Sequence, residues 1–145
     1  MKNKIDFFRG KYFFLSNFFE APVEYDGLKF KNSEAAFQAQ KCSSYEQRKQ
    51  FQELDPSRAK RKGRNVILRH DWDKIKIKEM LEIVRNKFQQ NKNLKEKLLA
   101  TGDAYLEEGN DWGDTIWGVC NGKGQNNLGK ILMQVREELR DENHE

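Results

Sequence analysis

The chain has 145 residues, with 27 Lys and Arg against 23 Asp and Glu, for a formal net charge of +4. This length suits a single domain spanning residues 1–145 with a real core, and no apolar run approaches the roughly 20 residues a membrane-crossing helix requires. The opening Met1 to Phe8 lacks an apolar stretch with a cleavage site, so no secretory signal is expected and the cytoplasm is the expected compartment. Cys42 and Cys120 make no disulfide framework and, with His70 and His144, show no metal-ligand spacing, so neither a metal nor a cofactor is expected.

The first quarter reads as β structure. Ile5 to Phe8 and Lys11 to Phe14 are apolar-rich segments separated by Arg9-Gly10. Val23 to Tyr25 and Leu28 to Phe30 flank Asp26-Gly27, a strong short-range hairpin signal. Between these pairs lies a loop, Leu15 to Pro22, with polar groups among aromatics.

From Asn32 the pattern turns helical. Asn32 is a suitable cap for a helix running through Lys41, with Glu34 in the first turn. Along it Glu34, Gln38 and Lys41 share a face at i, i+4 and i+7. Ala35, Ala36, Ala39 and Cys42 occupy positions where large aliphatics would be ordinary, so the helix can approach its neighbours closely. By spacing alone the stripe also fits an ordinary Glu/Lys pairing on a solvated face.

Tyr45 to Leu54 reads as a polar helix. The next begins at Asp55-Pro56, an N-cap with Pro at the first helical position, and is read as ending at Gly63. It carries the basic run Ser57-Arg-Ala-Lys-Arg-Lys-Gly-Arg64, a candidate contact for nucleic acid or phosphate and, equally, a solvated helix face. Ile77, Met80, Leu81, Val84 and Phe88 form an amphipathic stripe, as do Leu128, Ile131, Leu132, Val135 and Leu139, with a short helix from Leu94 to Ala100 between. Both stripes are scaffold. The acidic tail, about 140–145, is expected to fray.

Between the scaffold helices Trp112, Trp117, several carboxylates and glycines crowd the segment Thr101 to Gly118. Flat indoles suit a pocket that stacks a ring. Asp114 is a candidate acid/base or hydroxyl-orienting group, and Asn126 and Asn127, behind glycines at a helix start, are candidates to cradle phosphate with backbone amides. Taken singly, core tryptophans, a capping Asp and ordinary turns explain the same residues. No Walker or Rossmann spacing is present. The whole is expected to be α+β: a helix-rich single domain with a small antiparallel sheet formed by the N-terminal hairpins.

Ordered segments across the chain carry a resemblance. They are Phe14-Leu-Ser-Asn-Phe18 with Tyr25-Asp-Gly27, Ser33-Glu-Ala-Ala-Phe-Gln-Ala-Gln-Lys41, Met80 with Lys87-Phe88, Leu98 to Gly102, Glu108 to Gly118, and Gly124 to Arg136. From about Phe7 to Leu139, and weakly from Ser43 to Arg64, the chain resembles the NADAR (YbiA-like) family of N-glycosidases acting on riboflavin-biosynthesis intermediates. The resemblance implies cleavage of a C–N bond in a phosphorylated ribosyl-amine. It implies Lys41 as central catalytic residue, with Glu34 and Asp114 as carboxylates. Gln38, Trp112, Trp117 and Gly118 would line the pocket, and Arg9, Ser16, Asn17 and Asn126 would contact phosphate and ribose. An alternative substrate is ADP-ribosylated guanine in nucleic acid, guided by Arg58 to Arg64; a further one is a non-catalytic ADP-ribose-binding module. The family's usual Glu-His pair is Glu34-Ala35 here.

Overall fold

In the computed structural model, which describes residues 3–143, the elements run β1 (Lys4–Ile5), a 3-10 turn (Gly10–Leu15), β2 (Val23–Tyr25), β3 (Leu28–Phe30), α1 (Ser33–Ala39), α2 (Tyr45–Lys49) and α3 (Pro56–Gly63). They continue as α4 (Trp72–Gln90), α5 (Lys92–Ala100), β4 (Tyr105–Leu106), β5 (Gly109–Asn110), β6 (Val119–Cys120) and α6 (Asn127–Asn143). The architecture is α+β, as the sequence implies. Asn17–Asn91 forms one unit, and Met1–Ser16 with Lys92–Glu145 the other. No helix among the described residues is long and apolar enough to cross a membrane.

In the 17–91 unit the predicted hairpin forms. Asp26 and Gly27 both take positive φ, 52° and 81°, the pair a tight two-residue turn requires, and Val23 pairs with Phe30 across it. Val23, Leu28 and Phe30 point into the core. The free edge of β2 is closed by α4. Gln90 accepts from the Glu24 amide at 2.7 Å and donates to its carbonyl at 2.9 Å, while Asn91 donates to the Pro22 carbonyl at 2.9 Å. An edge saturated in this way offers no template to another strand. The Tyr25 hydroxyl lies between Glu79 and Glu82, the latter at 2.9 Å, and burial together with these carboxylates raises its pKa.

α1 is buried along its whole length. Asn32 caps it as expected, accepting from the Ala35 amide at 2.8 Å. It packs against α3, α4 and the hairpin, an approach its alanines make possible. α2 is shorter than the predicted Tyr45 to Leu54, ending at Lys49, because the chain turns to bury Phe51 completely. α4 starts at Trp72, whose ring lies 5.1 Å from that of Phe37. Its buried face is Trp72, Met80, Ile83, Val84, Lys87 and Phe88, so the predicted stripe gains Ile83 and Lys87, while Ile77 is exposed.

In the other unit Lys11 to Phe14, expected as a strand, belongs to the 3-10 turn that opens at Gly10 with φ 58°. β1 pairs instead in parallel with β4, a partner a hundred residues away, Lys4 facing Tyr105 and Ile5 facing Leu106. β5 and β6 also pair in parallel. The α6 stripe is buried at every predicted position, together with Arg136. Arg136 donates to the Ala104 carbonyl and the Thr101 hydroxyl, each at 2.9 Å, and Arg140 donates to the Gly102 carbonyl at 2.7 Å. These arginines fix the turn that follows α5. Of the tail expected to fray, Arg140 to Asn143 complete α6, while His144 and Glu145, like Met1 and Lys2, lie outside the described residues.

Lys87 is 1% exposed, with its ammonium 5.1 Å from the Phe88 ring centre and 5.9 Å from that of Phe19. Burial lowers its pKa from 10.5 to about 7. The unfolded chain therefore holds a proton there that the folded chain releases between these values, and stability rises with pH across that window by up to about 1.4 kcal/mol per unit. Below about pH 7 both states are protonated and the burial penalty is fully present. Urea unfolding followed from about pH 6.5 to about pH 9.5 is expected to show this rise. Lys87→Met is expected to flatten it and to raise stability at neutral pH; a variant with the wild-type slope would assign the rise to other groups.

Candidate active site

The Glu34, Gln38 and Lys41 stripe lies within the 17–91 unit, with one change from the predicted geometry. The helix ends at Ala39, and Lys41 stands in the tighter turn that follows, where amides 40 to 42 donate to carbonyls three residues back. Glu34 and Gln38 are 8% and 6% exposed, and the Gln38 amide donates to the Glu34 carboxylate at 2.6 Å. Gln38 Oε1 is buried without a hydrogen-bond partner.

Gly63 explains where that oxygen goes. Its φ is not positive, so it does not end α3 as a left-handed cap. A Cβ there would overlap the Gln38 carboxamide. The residue is glycine because α3 meets α1 at this point. Gly63→Ala is expected to lower stability by about 1–3 kcal/mol through overpacking and to displace Gln38 from Glu34; a thermal midpoint equal to wild type would show that the contact yields freely.

The backbone around Lys41 is held on all sides. Its amide donates to the Gln38 carbonyl at 3.2 Å, its carbonyl accepts from the Arg69 amide at 2.9 Å, and the Cys42 carbonyl accepts from Arg48 at 3.0 Å. Arg69 is fixed in turn by a two-point pair with Asp71, at 2.6 and 3.1 Å. Arg48 and Arg69 gave no signal in the sequence, because each acts across a gap that no local pattern spans. Lys41 itself is half-buried. Burial lowers its pKa, Glu34 opposes that, and the nearby Arg64 and Lys60 reinforce it. A half-buried amine with a weakened hold on its proton is a candidate nucleophile. Ala35, where the family's usual His would stand, is fully buried and supplies no titratable group.

Asn17, a predicted substrate contact, is a brace in this unit. Its carbonyl accepts from the Glu34 amide at 3.2 Å, its side-chain oxygen accepts from Ser33 at 3.0 Å, and its side-chain nitrogen lies 3.4 Å from the Met80 sulfur. It therefore sets the height at which α1 begins and Glu34 sits.

The remaining predicted site residues belong to the other unit. Asp114 Oδ1 accepts from the amides of Ile116 and Trp117 at 3.1 and 2.9 Å, the capping geometry of an Asx turn. Asn110, which the sequence reading did not single out, locks that turn by exchanging hydrogen bonds with the Asp114 backbone at 2.9 and 3.0 Å. The expected phosphate cradle is already filled by protein: the amides of Gln125, Asn126, Asn127 and Leu128 donate to the carbonyls of Thr115, Gly118, Ile116 and Trp117. The Asn126 side chain accepts from the Glu108 amide at 3.0 Å and donates to the Leu106 carbonyl at 2.9 Å. Gly118 is buried where a Cβ would strike Glu108. Trp112 is exposed and Trp117 half-buried. Arg9 stacks its guanidinium 5.4 Å from the Phe7 ring, and Ser16 closes the 3-10 turn through its amide. Among the described residues, no group of three or more His, Cys, Asp or Glu is placed to hold a metal ion.

The α+β fold matches a known class of proteins. The NADAR domain family matches residues 6–140, and the chain belongs to that family. It is 41% identical over 128 residues to the N-glycosidase YbiA of Shigella flexneri, covering 86% of this chain and 79% of that protein. It is 42% identical over 132 residues to a riboflavin biosynthesis protein of Vibrio vulnificus, covering 88% of this chain but only 36% of that longer protein. The solution structure of Escherichia coli YbiA superposes with a TM-score of 0.89 at 37% identity, over 100% of this chain and 90% of that one.

If Lys41 reacts as the neutral amine, kcat/KM rises with pH through its lowered pKa. Glu34 raises that pKa, so Glu34→Gln is expected to shift the acid limb of the pH profile to lower pH even as the maximal rate falls. A limb that stays in place would separate it from Lys41.

Proposed function

We propose that this chain hydrolyses the C–N glycosidic bond of a phosphorylated ribosyl-amine, of the kind represented by aminopyrimidine ribosyl phosphates, and releases ribose 5-phosphate. The chain is a hydrolase acting on N-glycosyl bonds, as its NADAR membership and the N-glycosidases among its relatives establish. The observation that supports the finer reading is the Lys41 amine, weakened by burial and fixed beside Glu34.

The chemistry follows from those two groups. Opening of the ribosyl ring leaves C1 as an imine to the substrate nitrogen. The neutral Lys41 amine adds to C1, and the substrate nitrogen takes up a proton and departs with the electrons of its C1–N bond. Lys41 is then joined to C1 as a Schiff base. Water adds to the same carbon, the C1–N bond to Lys41 breaks, and the sugar leaves as its aldehyde while the amine is restored. Glu34, within the field of Lys41, accepts and returns the protons, and the Gln38 amide holds its carboxylate in one orientation. Asn17 acts through its bond to the Glu34 amide rather than on the substrate.

Turnover of the aminopyrimidine ribosyl phosphate by purified protein tests the reading, with release of ribose 5-phosphate expected. Lys41→Ala is expected to reduce kcat on the order of a thousandfold or more. Lys41→Arg, which keeps the charge but cannot form an imine, is expected to be equally inactive, and an active Lys41→Arg enzyme would remove the nucleophile from the account. Supplying ADP-ribosylated guanine in nucleic acid alongside decides the substrate class: preference for it, lost as salt is raised, would transfer the activity to that substrate. Stabilisation by ADP-ribose without any turnover would leave a binding module instead.

A further inference from the structure

The basic run at 57–64 is divided by the helix that carries it. Lys60 on α3 and Arg64, the C-cap residue four positions on that keeps helical backbone, share one side of the helix, and Gly63 lies beside them. Gly63 is the point of contact with Gln38 of α1, so this is the side that faces the Glu34, Gln38 and Lys41 stripe. Lys60 is half-buried with its ammonium 5.7 Å from the Phe18 ring centre. The other cations of the run are occupied elsewhere or outward. Arg58 pairs with its own N-cap Asp55 at 3.5 Å, Lys62 lies over the Phe51 ring at 5.7 Å, and Arg61 is exposed.

Both cations on this side weaken the hold of Lys41 on its proton, Lys60 from a half-buried position and Arg64 from an exposed one that a ligand can reach. Among the described residues the Arg64 guanidinium makes no hydrogen bond or ion pair, although Arg64 sits at the end of α3 with its backbone fixed by the Arg61 carbonyl at 3.2 Å. Lys60, Arg64 and the Glu34 carboxylate, one of whose oxygens accepts from Gln38, thus all act on Lys41. Like charges brought this close repel one another, and a bound anion relieves that repulsion. A guanidinium with open donors and an adjacent ammonium match the oxygens of a phosphoryl group.

We infer that Lys60 and Arg64 form the phosphate subsite of this active centre, holding the phosphoryl group of the sugar whose C1 meets Lys41. The inference rests on the glycosidase reading and replaces Asn126, Asn127 and Asn17 as phosphate contacts, whose side-chain nitrogens face the Leu106 carbonyl, the Ile116 carbonyl and the Met80 sulfur. It also divides the basic run, with Lys60 and Arg64 on the side of α3 that meets α1 and Arg61 rotated away from it.

Calorimetric titration of ribose 5-phosphate into the full chain tests it. Lys60→Gln and Arg64→Gln are each expected to weaken binding about tenfold or more, the loss of one charge-assisted hydrogen bond. Arg64→Lys is expected to recover part of the loss, and Arg61→Gln to bind as wild type. Removing the Arg64 charge is also expected to raise the Lys41 pKa and move the acid limb of the pH profile to higher pH, which loss of packing alone would not do. Wild-type binding in both Gln variants, an equal loss in Arg61→Gln, or no binding of ribose 5-phosphate by the wild type would each overturn the subsite. ADP-ribose that binds more tightly with the same dependence on Lys60 and Arg64 would support the subsite and extend it to a diphosphate. Wild-type protein that binds ribose 5-phosphate in this pattern but turns over no ribosyl-amine would sink the glycosidase reading and leave the subsite standing.

Discussion

The burial of α1 on every side is the constraint from which the candidate chemistry follows. A seven-residue helix with Ala35, Ala36 and Ala39 on its surface lets α3, α4 and the hairpin close around it. Three polar side chains, Ser33, Glu34 and Gln38, are carried inside with it, and a buried carboxylate needs hydrogen bonds to remain charged without large cost. Gln38 supplies one at 2.6 Å, and the position of Gln38 depends in turn on the missing Cβ of Gly63. Asn17 fixes the start of the helix and Arg69 its end. Glu34 and Lys41 are therefore placed by packing, before any ligand is present.

Burial alone does not single out a candidate catalytic lysine, since a second lysine of the same unit is also buried. Lys87 is buried more deeply than Lys41 and its pKa falls to about 7. It is nevertheless 1% exposed and enclosed by the Phe19 and Phe88 rings, with no surface for a substrate to reach. Lys41 combines partial burial with access, and both a carboxylate and cations act on it. Those influences oppose one another: desolvation and the cations favour the neutral amine, while Glu34 favours the charged one.

Much of the fold was legible because its signals are local. Asp26-Gly27 dictates a tight turn, Asn32 and Asp55-Pro56 mark helix starts, and the α6 stripe is buried at each predicted position. The ordered motifs also identified the family. What the sequence concealed depends on distant partners. The pairing of β1 with β4 joins residues a hundred positions apart, and no periodicity announces it. Lys11 to Phe14 has strand composition, yet Gly10 and the burial of Phe14 and Leu15 favour a 3-10 turn. Gly63 looks like a terminator in sequence and is a packing glycine in space. Asp114, Asn126 and Asn17 have side chains suited to substrate, and each is instead bound to the protein's own groups, which only three-dimensional accounting of hydrogen bonds reveals.

The central claim is that the reacting carbon becomes bonded to Lys41. Borohydride added during turnover of the aminopyrimidine ribosyl phosphate would reduce a Schiff base to a stable secondary amine, which peptide mass spectrometry can locate. The account predicts a reduced ribose 5-phosphate adduct on Lys41, absent without borohydride and absent in Lys41→Arg. Full turnover with no adduct, or an adduct on another lysine, would contradict it.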